Sequence, residues 1–252
     1  MNLPKGFVSG SVAAGLKSTG ALDLTLIQNL GPNFDSAAVF TSNKVVAAPV
    51  IWSRQVAKGG VVRAVVLNSG GANACTGPQG FADTHKTAEH VGALLNVSAG
   101  EVIVCSTGLI GELLPMGRIL KGLDSSAQVL TSDGLETSAR AIMTTDSVPK
   151  IASTSAHGVE FAGIAKGAGM LAPALATMLS VVMTDAVISR NAQEVFARVT
   201  DRTFNRIDSD GCTSTNDTVL FMSSGASEVS VSDQQLEDLL MQVCGSLAGQ
   251  LI

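Results

Sequence analysis

The sequence predicts an α/β fold, and three observations predict it. Short β-branched runs and longer segments of helical periodicity follow one another in mixed order along the chain. The 252 residues are 46% hydrophobic and 15% charged with 26 glycines, the balance of a packed chain with many turns and far from that of a disordered one. Aromatics are scarce, with eight Phe, one Trp and no Tyr, so the core must be built from Ala, Val, Leu, Ile and Met.

Taken in order, FVSGSVAAG, DLTLIQN and SAAVFTS are β-branched runs separated by turn residues and predict an opening set of strands. VVRAVVLNSG is a further strand that runs into the polar loop NSGGANACTGPQG. Ala88, Val91, Ala93 and Leu95 set an apolar face that predicts a helix over 81–95. EVIVCSTG predicts a strand ending on a glycine turn. A helix is expected over 124–143, starting near Asp124 or Ser125, with Gly134 as a weak point inside it. KIASTSAHGVEFAGIAKG alternates on both sides of His157-Gly158 and predicts a hairpin. NAQEVFARVTDRTFNRI predicts a helix, TVLFMSSGA a strand, and SDQQLEDLLMQVCGSLAGQLI a helix that opens on a Ser/Asp cap and keeps its leucines on one face. That last helix runs to residue 252 without a cap or polar tail, so a truncated chain is expected.

Composition excludes some function classes. A net charge of −5 without any Lys/Arg cluster gives no electrostatic reason to bind nucleic acid. Cys75, Cys105, Cys212 and Cys244 are far apart and form no C-x-x-C pair, so neither a zinc nor a redox motif is present. Such thiols fit a reducing cytosol, and MNLPKGFVSGSVAAGLKS reads as a first strand, not a signal peptide. DSDGCTSTND (208–217) resembles a calcium loop, but it lacks a third acid before the glycine and has Val219 where the twelfth-position Glu would stand. His85, His90 and His157 have no partners at metal or triad spacing. Cys105 reads as packing, with nothing nearby in sequence to lower its pKa.

Residues 161–185, FAGIAKGAGMLAPALATMLSVVMTD, admit three readings. The 18 uncharged residues from Gly167 to Thr184 are marginal for a membrane span and carry glycines, a proline and hydroxyl residues, which suits a buried core segment better. Gly167-x-Gly169-x-x-Ala172 followed by Asp185 has the form of a dinucleotide-binding turn. Against it, Pro173 falls where a helix needs its N–H donors, and the preceding region reads as hairpins, not as βαβ. The third reading is self-cleavage between Ala176 and Thr177. A strained turn lets a threonine hydroxyl attack the carbonyl before it, and the α-amine released by cleavage, with an unperturbed pKa of roughly 7.7–8.0, can serve as base for that hydroxyl. Taken alone, Ala-Thr is a common dipeptide, and a core threonine in an apolar strand is the plainer account.

KGAGMLAPALATMLS is similar to the processing-site signature of the ornithine acetyltransferases, the bifunctional glutamate N-acetyltransferases of arginine biosynthesis. AAVFTSNKVVAAPVIWSRQ, NSGGANACTG, CSTGLIGELLP, MTTDSVPK and RTFNRIDSDGCTSTNDTVLFM resemble further blocks of that family, in the same order over essentially the whole chain. The resemblance implies a layered α/β sandwich with central sheets flanked by helices, as in this family and in self-processing aminopeptidases. It implies an enzyme that moves an acetyl group from N2-acetylornithine to glutamate through an acetyl-threonine ester on Thr177. Thr107 and Gly108 would form the oxyanion hole, where one donor is worth about 2.7–4 kcal/mol in the barrier. Lys166 would bind substrate, as would Thr144 or Thr145, the resemblance leaving open which. Cleavage at Ala176-Thr177 would give an α chain of residues 1–176 and the start of a β chain at 177–252, the remainder of the β chain being absent. Two α and two β chains, a cytoplasmic setting and no metal or cofactor are implied, with acetyl-CoA admitted as a second acetyl donor. The family usually has Asn where this chain has Ala174. An aminopeptidase or amidase on the same scaffold, with water as acceptor, is the alternative.

Overall fold

The computed structural model describes residues 2–168, 178–208 and 211–252. Two sheets stack face to face between two layers of helices. The first sheet holds β1 (Phe7–Val12), β2 (Leu24–Asn29), β4 (Ala64–Asn68) and β5 (Val102–Ser106) in the order β1-β2-β4-β5. The second holds β3 (Ser36–Phe40), β6 (Lys150–Ala156), β7 (Val159–Lys166), β8 (Leu179–Thr184) and β9 (Thr218–Ser223) in the order β3-β9-β8-β7-β6. Pairing is antiparallel except for β4 with β5 and β8 with β9.

Alternation along the strands explains the layering. Val65 and Leu67 of β4 join Ile27, Ile103 and Cys105 in facing Ile164, Val181, Met183, Leu220 and Met222 of the second sheet, which makes one apolar slab between the sheets. The intervening Ala64 and Val66 point the other way, onto α2 (Gly77–Leu95) and α3 (Met116–Gln128), through Ala88, Val91, Ile119 and Leu123. Phe161, Val182 and Phe221 turn outward from the second sheet onto α5 (Ala192–Arg202) and α6 (Asp233–Leu251). The layered sandwich and the hairpin at His157-Gly158 are therefore as expected, as are the cap of α6, where Ser232 accepts from the Gln235 N–H, and the leucine face of that helix.

Three elements differ from expectation. The helix expected over 124–143 is two helices, α3 and α4 (Leu135–Ala141). α3 starts more than two turns earlier, after Pro115, and buries Ile119, Gly122, Leu123 and Ser126 at helical spacing. Between the two helices the backbone of Thr131 pairs with Ser9, extending from the edge strand β1, and Gly134 packs so tightly that an added Cβ would lie 2.3 Å from Ser9 Oγ. α1 (Ala48–Ala57), with Pro49 in its first turn, was not expected at all. The helix expected to run through Ile207 stops at Arg202 and is followed by a 3-10 turn over Phe204–Arg206.

The sheet edges are closed by side chains. On β5, Trp52 Nε1 donates to the Val102 carbonyl at 3.0 Å, and Ser53 Oγ both donates to the Val104 carbonyl at 2.8 Å and accepts from its N–H at 3.1 Å. On β3, the Gln193 side-chain amide accepts from the Ala38 N–H at 3.0 Å and donates to the Ala38 carbonyl at 3.2 Å, as a neighbouring strand would. No helix among the described residues is long and apolar enough to cross a membrane, and the apolar run beginning at Leu179 is the buried strand β8.

Candidate active site

A cavity of about 660 Å³ opens where the two sheets meet, and Thr107, Gly108, Thr144, Thr145 and Lys166 all line it. Residues up to 59 positions apart in sequence are thus brought to one place, Thr107-Gly108 and Lys166 by strand ends. β4 and β5 are parallel neighbours in register, Asn68 opposite Ser106, so their exits carry Ser69-Gly70 and Thr107-Gly108 into the same wall. Asn68 braces the pair: its side chain accepts from Ser106 Oγ at 2.6 Å and donates to the Gly71 carbonyl at 3.0 Å, and its carbonyl accepts the Thr107 N–H at 2.9 Å. Asn216 adds two donations from its amide nitrogen, to the carbonyls of Ala72 at 2.6 Å and Ser106 at 2.9 Å. Gly108 has φ +131°, and a Cβ there would lie 2.7 Å from Gly71 N, so only glycine fits.

Lys166 is the last residue of β7 and is 98% buried, yet its ammonium reaches the cavity and donates to Thr107 Oγ1 at 3.3 Å. A hydroxyl whose oxygen accepts from an ammonium turns its own proton away, toward whatever acceptor lies in front of it. Burial pulls the Lys166 pKa down. The charges of Asp146 and Asp217 oppose that shift, and the nearby ammonium groups of Lys150 and Lys17 reinforce it.

Asp146 is a junction. Its Oδ1 accepts from Lys150 Nζ at 2.5 Å and from the Gly167 N–H at 2.8 Å, and its Oδ2 from the Thr144 N–H at 3.0 Å. Burial would raise its pKa, but these three donors and the Lys166 charge together hold it below the ordinary value. Asp217, immediately before β9, accepts the Met178 N–H at 2.9 Å and lies fully buried. Burial pushes its pKa well up, against the opposing pull of the Met178 N–H, the Ser214 and Thr41 hydroxyls and the Lys166 charge.

The opposite wall is a loop that follows β1 and presents Leu16, Lys17, Ser18 and Thr19. Asp23, fully buried, gathers it by accepting three backbone N–H groups, from Ala14 and Leu16 at 2.6 Å each and from Lys17 at 3.0 Å. Lys17 Nζ donates to the Leu22 carbonyl at 2.8 Å. Burial lowers its pKa, with Asp23 and Asp146 opposing.

Ala176 and Thr177 lie outside the described residues, as does most of the glycine-rich segment before them. Their neighbour Met178 is described, buried and held at both backbone groups: its carbonyl accepts the Thr218 N–H at 3.1 Å, and its N–H is the one bound by Asp217. Lys17, Asp23, Asp146 and Asp217 are the site residues that sequence reasoning missed. MTTDS and STND had drawn attention to the segments of the latter two, but not to the acids. The dinucleotide reading fails here: β7 and β8 are antiparallel neighbours instead of the two parallel strands of a βαβ unit, and Asp185 spends a carboxylate oxygen on the Glu160 N–H at 2.8 Å.

The remaining candidates stay outside the cavity. Cys105 is buried with its thiol pushed up to about 12 by that burial, which makes it packing. His85 sits edge-on to Trp52, 5.0 Å between centroids, and His90 does have a partner, Asp124 at 2.7 Å, bridging α2 to α3. Among the described residues no cluster of three or more His, Cys, Asp or Glu could hold a metal ion. A second groove of about 610 Å³, between β3, α1 and α5, contains none of the expected site residues.

The sequence model of the ArgJ family matches residues 8–252. The chain is 55% identical over 249 residues to the arginine biosynthesis bifunctional protein ArgJ of Streptomyces avermitilis, covering 98% of this chain and 65% of that protein. It is 52% identical over 257 residues to the protein of the same name from Mycobacterium tuberculosis, covering 98% and 64%. The chain therefore spans about two thirds of the length of these relatives. Among solved structures, the ornithine acetyltransferase of M. tuberculosis complexed with ornithine superposes with a TM-score of 0.66 at 54% identity, covering 68% of this chain and 92% of that one. A Bacillus halodurans arginine biosynthesis bifunctional protein gives 0.61 at 36% identity, covering 68% and 91%. The L-aminopeptidase D-Ala-esterase/amidase of Ochrobactrum anthropi, a variant of the Ntn hydrolase fold, gives 0.56 at 12% identity over 98% of this chain and 84% of that one, which is a likeness of fold alone.

Proposed function

This chain belongs to the ArgJ family, and we propose that it is the part of an acetyl-transferring enzyme of arginine biosynthesis that carries the nucleophile and its oxyanion hole. The precursor cleaves itself between Ala176 and Thr177, giving an α chain of residues 1–176 and a β chain that begins at Thr177. Two of each assemble in a cytosolic enzyme, a reducing setting that suits Cys105 and Cys244 as thiols in two separate cores.

The Thr177 hydroxyl attacks the acetyl carbonyl of N2-acetylornithine and passes its proton to its own α-amine. The carbonyl oxygen becomes an oxyanion, bound by the Thr107 hydroxyl and the Gly108 N–H. Collapse breaks the C–N bond, the α-ammonium returns the proton to the departing nitrogen, and ornithine leaves an acetyl ester on Thr177. The α-amine of glutamate then attacks the ester by the same steps in reverse order, which releases acetylglutamate and restores the hydroxyl. Lys166 supports both halves. It fixes the Thr107 rotamer so that the hydroxyl proton faces the oxyanion, and its remaining N–H donors meet the substrate α-carboxylate beside Thr144 and Thr145. Acetyl-CoA as a second donor would enter at the same ester.

The single observation that carries this reading is the 3.3 Å contact between Lys166 and Thr107 in a cavity that also holds Gly108 and both threonines. Cleavage finds support in the extents of the matches. Some 68% of these 252 residues, about 171, account for 92% of the M. tuberculosis ornithine acetyltransferase chain, whereas 98% of them account for only 64% of the ArgJ protein of that organism.

The test uses the full-length protein. Intact mass should show two chains, the second starting at Thr177, and Thr177→Ala should remain whole. With N2-acetylornithine, product should be acetylglutamate when glutamate is present. Acetate release regardless of glutamate would instead favour an amidase, and a wild-type chain that stays uncleaved would overturn the mechanism.

A further inference from the structure

Two buried carboxylates stand at the two ends of the segment that contains Ala176-Thr177. Asp146 accepts the N–H of Gly167, one residue past Lys166, at 2.8 Å. Asp217 accepts the N–H of Met178, one residue past Thr177, at 2.9 Å. They come from different elements, the turn between α4 and β6 and the approach to β9. The ends they hold are adjacent, since Lys166 pairs with Leu179 across β7 and β8. Neither acid lines the cavity, yet both act electrostatically on Lys166, which does.

Each acid is itself immobilised. Asp146 is held by Lys150 and by the Thr144 N–H, and the backbone carbonyl of Asp217 accepts the Thr41 N–H at 3.0 Å. A backbone N–H beside a strand end needs no carboxylate to satisfy it, because a backbone carbonyl does so without the cost of desolvating a charge. A side-chain acceptor at each end, at 2.8 and 2.9 Å, makes sense where position matters more than stability. Cleavage requires the Thr177 hydroxyl to stay in line with the carbonyl before it. Afterwards a terminus with a single residue ahead of Met178 must keep its place instead of fraying.

We propose that Asp146 and Asp217 are positioning residues that hold Gly167 and Met178, the described residues on either side of the proposed cleavage position, Asp146 fixing the approach to it and Asp217 the residue that follows Thr177. The proposal rests on the self-cleavage reading above and adds to it the device that keeps Thr177 in register before and after the break.

The experiment follows full-length Asp217→Ala, Asp217→Asn, Asp146→Ala and Asp146→Asn. Cleavage is timed by intact mass, transfer kinetics are measured on whatever material has been processed, and Tm is recorded for each variant. Backbone hydrogen exchange of peptides covering 166–168 and 178–180 is read separately in an uncleavable Thr177→Ala background. Asp217→Ala should slow cleavage about 100-fold, the loss expected from an ångström of misplacement. Asp217→Asn, whose amide oxygen still accepts from Met178, should recover to within about tenfold of wild type, and in processed enzyme kcat should fall with KM for acetylornithine little changed. Exchange at Met178 should rise in Asp217→Ala and return in Asp217→Asn, and exchange at Gly167 should respond to the two Asp146 variants in the same way. The clamp is overturned if the alanine variants cleave at the wild-type rate, if Ala and Asn are equally slow in proportion to lost Tm, or if exchange does not change. A wild-type chain that never cleaves would sink the functional reading instead, and the exchange measurements would still decide whether the two acids hold the segment.

Discussion

The Lys166 ammonium meets the Thr107 hydroxyl at 3.3 Å, and the contact ties the end of a central strand in one sheet to the end of an edge strand in the other. The chemistry of the cavity therefore depends on how the two sheets are stacked. Lys166→Met should lower kcat/KM of the full-length enzyme by about 10²–10³, since Thr107 loses the donor that orients it. The same substitution should leave Tm unchanged or higher. Burial lowers the Lys166 pKa, so its charged form is a burden on the fold at neutral pH, which the apolar side chain removes. A large fall in Tm would mean that Lys166 is structural.

Gly108→Ala tests the backbone of the oxyanion wall. At φ +131° with Gly71 N only 2.7 Å from the new Cβ, the exit of β5 must shift away from β4. We expect a loss of about 1–3 kcal/mol in urea unfolding together with loss of transfer. Unchanged stability would show that the turn relaxes freely.

Asp23→Ala should release the loop that carries Leu16 and Lys17 into the cavity. Three half-buried N–H groups lose a charged acceptor at once, which should cost about 3 kcal/mol. Asp23→Asn should cost less. In both, KM should rise more than kcat falls, because the loop forms a wall of the cavity but supplies no oxyanion donor. Steady-state kinetics on the full-length enzyme check this.

Asp146 and Asp217 should give stability profiles of opposite sign. The folded pKa of Asp146 lies below its unfolded value, so its contribution is fully present above roughly pH 3.9 and disappears as pH falls through the folded value. The deficit of Asp146→Asn against wild type should hold steady between pH 5 and 8 and shrink in acid, with both limits approximate. The folded pKa of Asp217 is raised, so ionisation costs stability once pH passes the unfolded value near about 4, and the cost grows until the folded value is reached. Asp217→Asn should accordingly be as stable as wild type or more so at neutral pH, with the advantage fading on acidification. Thermal unfolding across a pH series separates the two.

The strands of this protein other than β8 were legible because each is a short apolar run bounded by turn residues, whereas β8 lies in a longer uncharged run that reads only as a buried segment. The β6–β7 hairpin was legible because alternation continues on both sides of a His-Gly turn. α1 was not, since its apolar residues Ala48, Val50 and Val56 sit among β-branched neighbours and its signal reduces to a proline in the first turn. α3 is hard to place from sequence because the polar pair Asp124-Ser125 imitates a helix start, while Pro115 and Gly134, which precede the two helices, cap them without a side-chain hydrogen bond. Thr107, Gly108, Lys166 and the two threonines could be named from resemblance, and the structure gathers them. The acids could not. Asp217 finds Met178 at a separation of 39 residues and Asp146 finds Gly167 at 21, and no periodicity in the chain marks such pairings.

Gln193 guards a vulnerable margin. Its amide fills the hydrogen-bonding positions of Ala38 that another chain would otherwise seek, much as Trp52 and Ser53 do for β5. A Gln193→Ala protein would expose a short adhesive seam on β3 while leaving the cavity intact. It should scatter more light with rising concentration yet keep its specific activity when dilute. Self-association and chemistry should then respond to different substitutions.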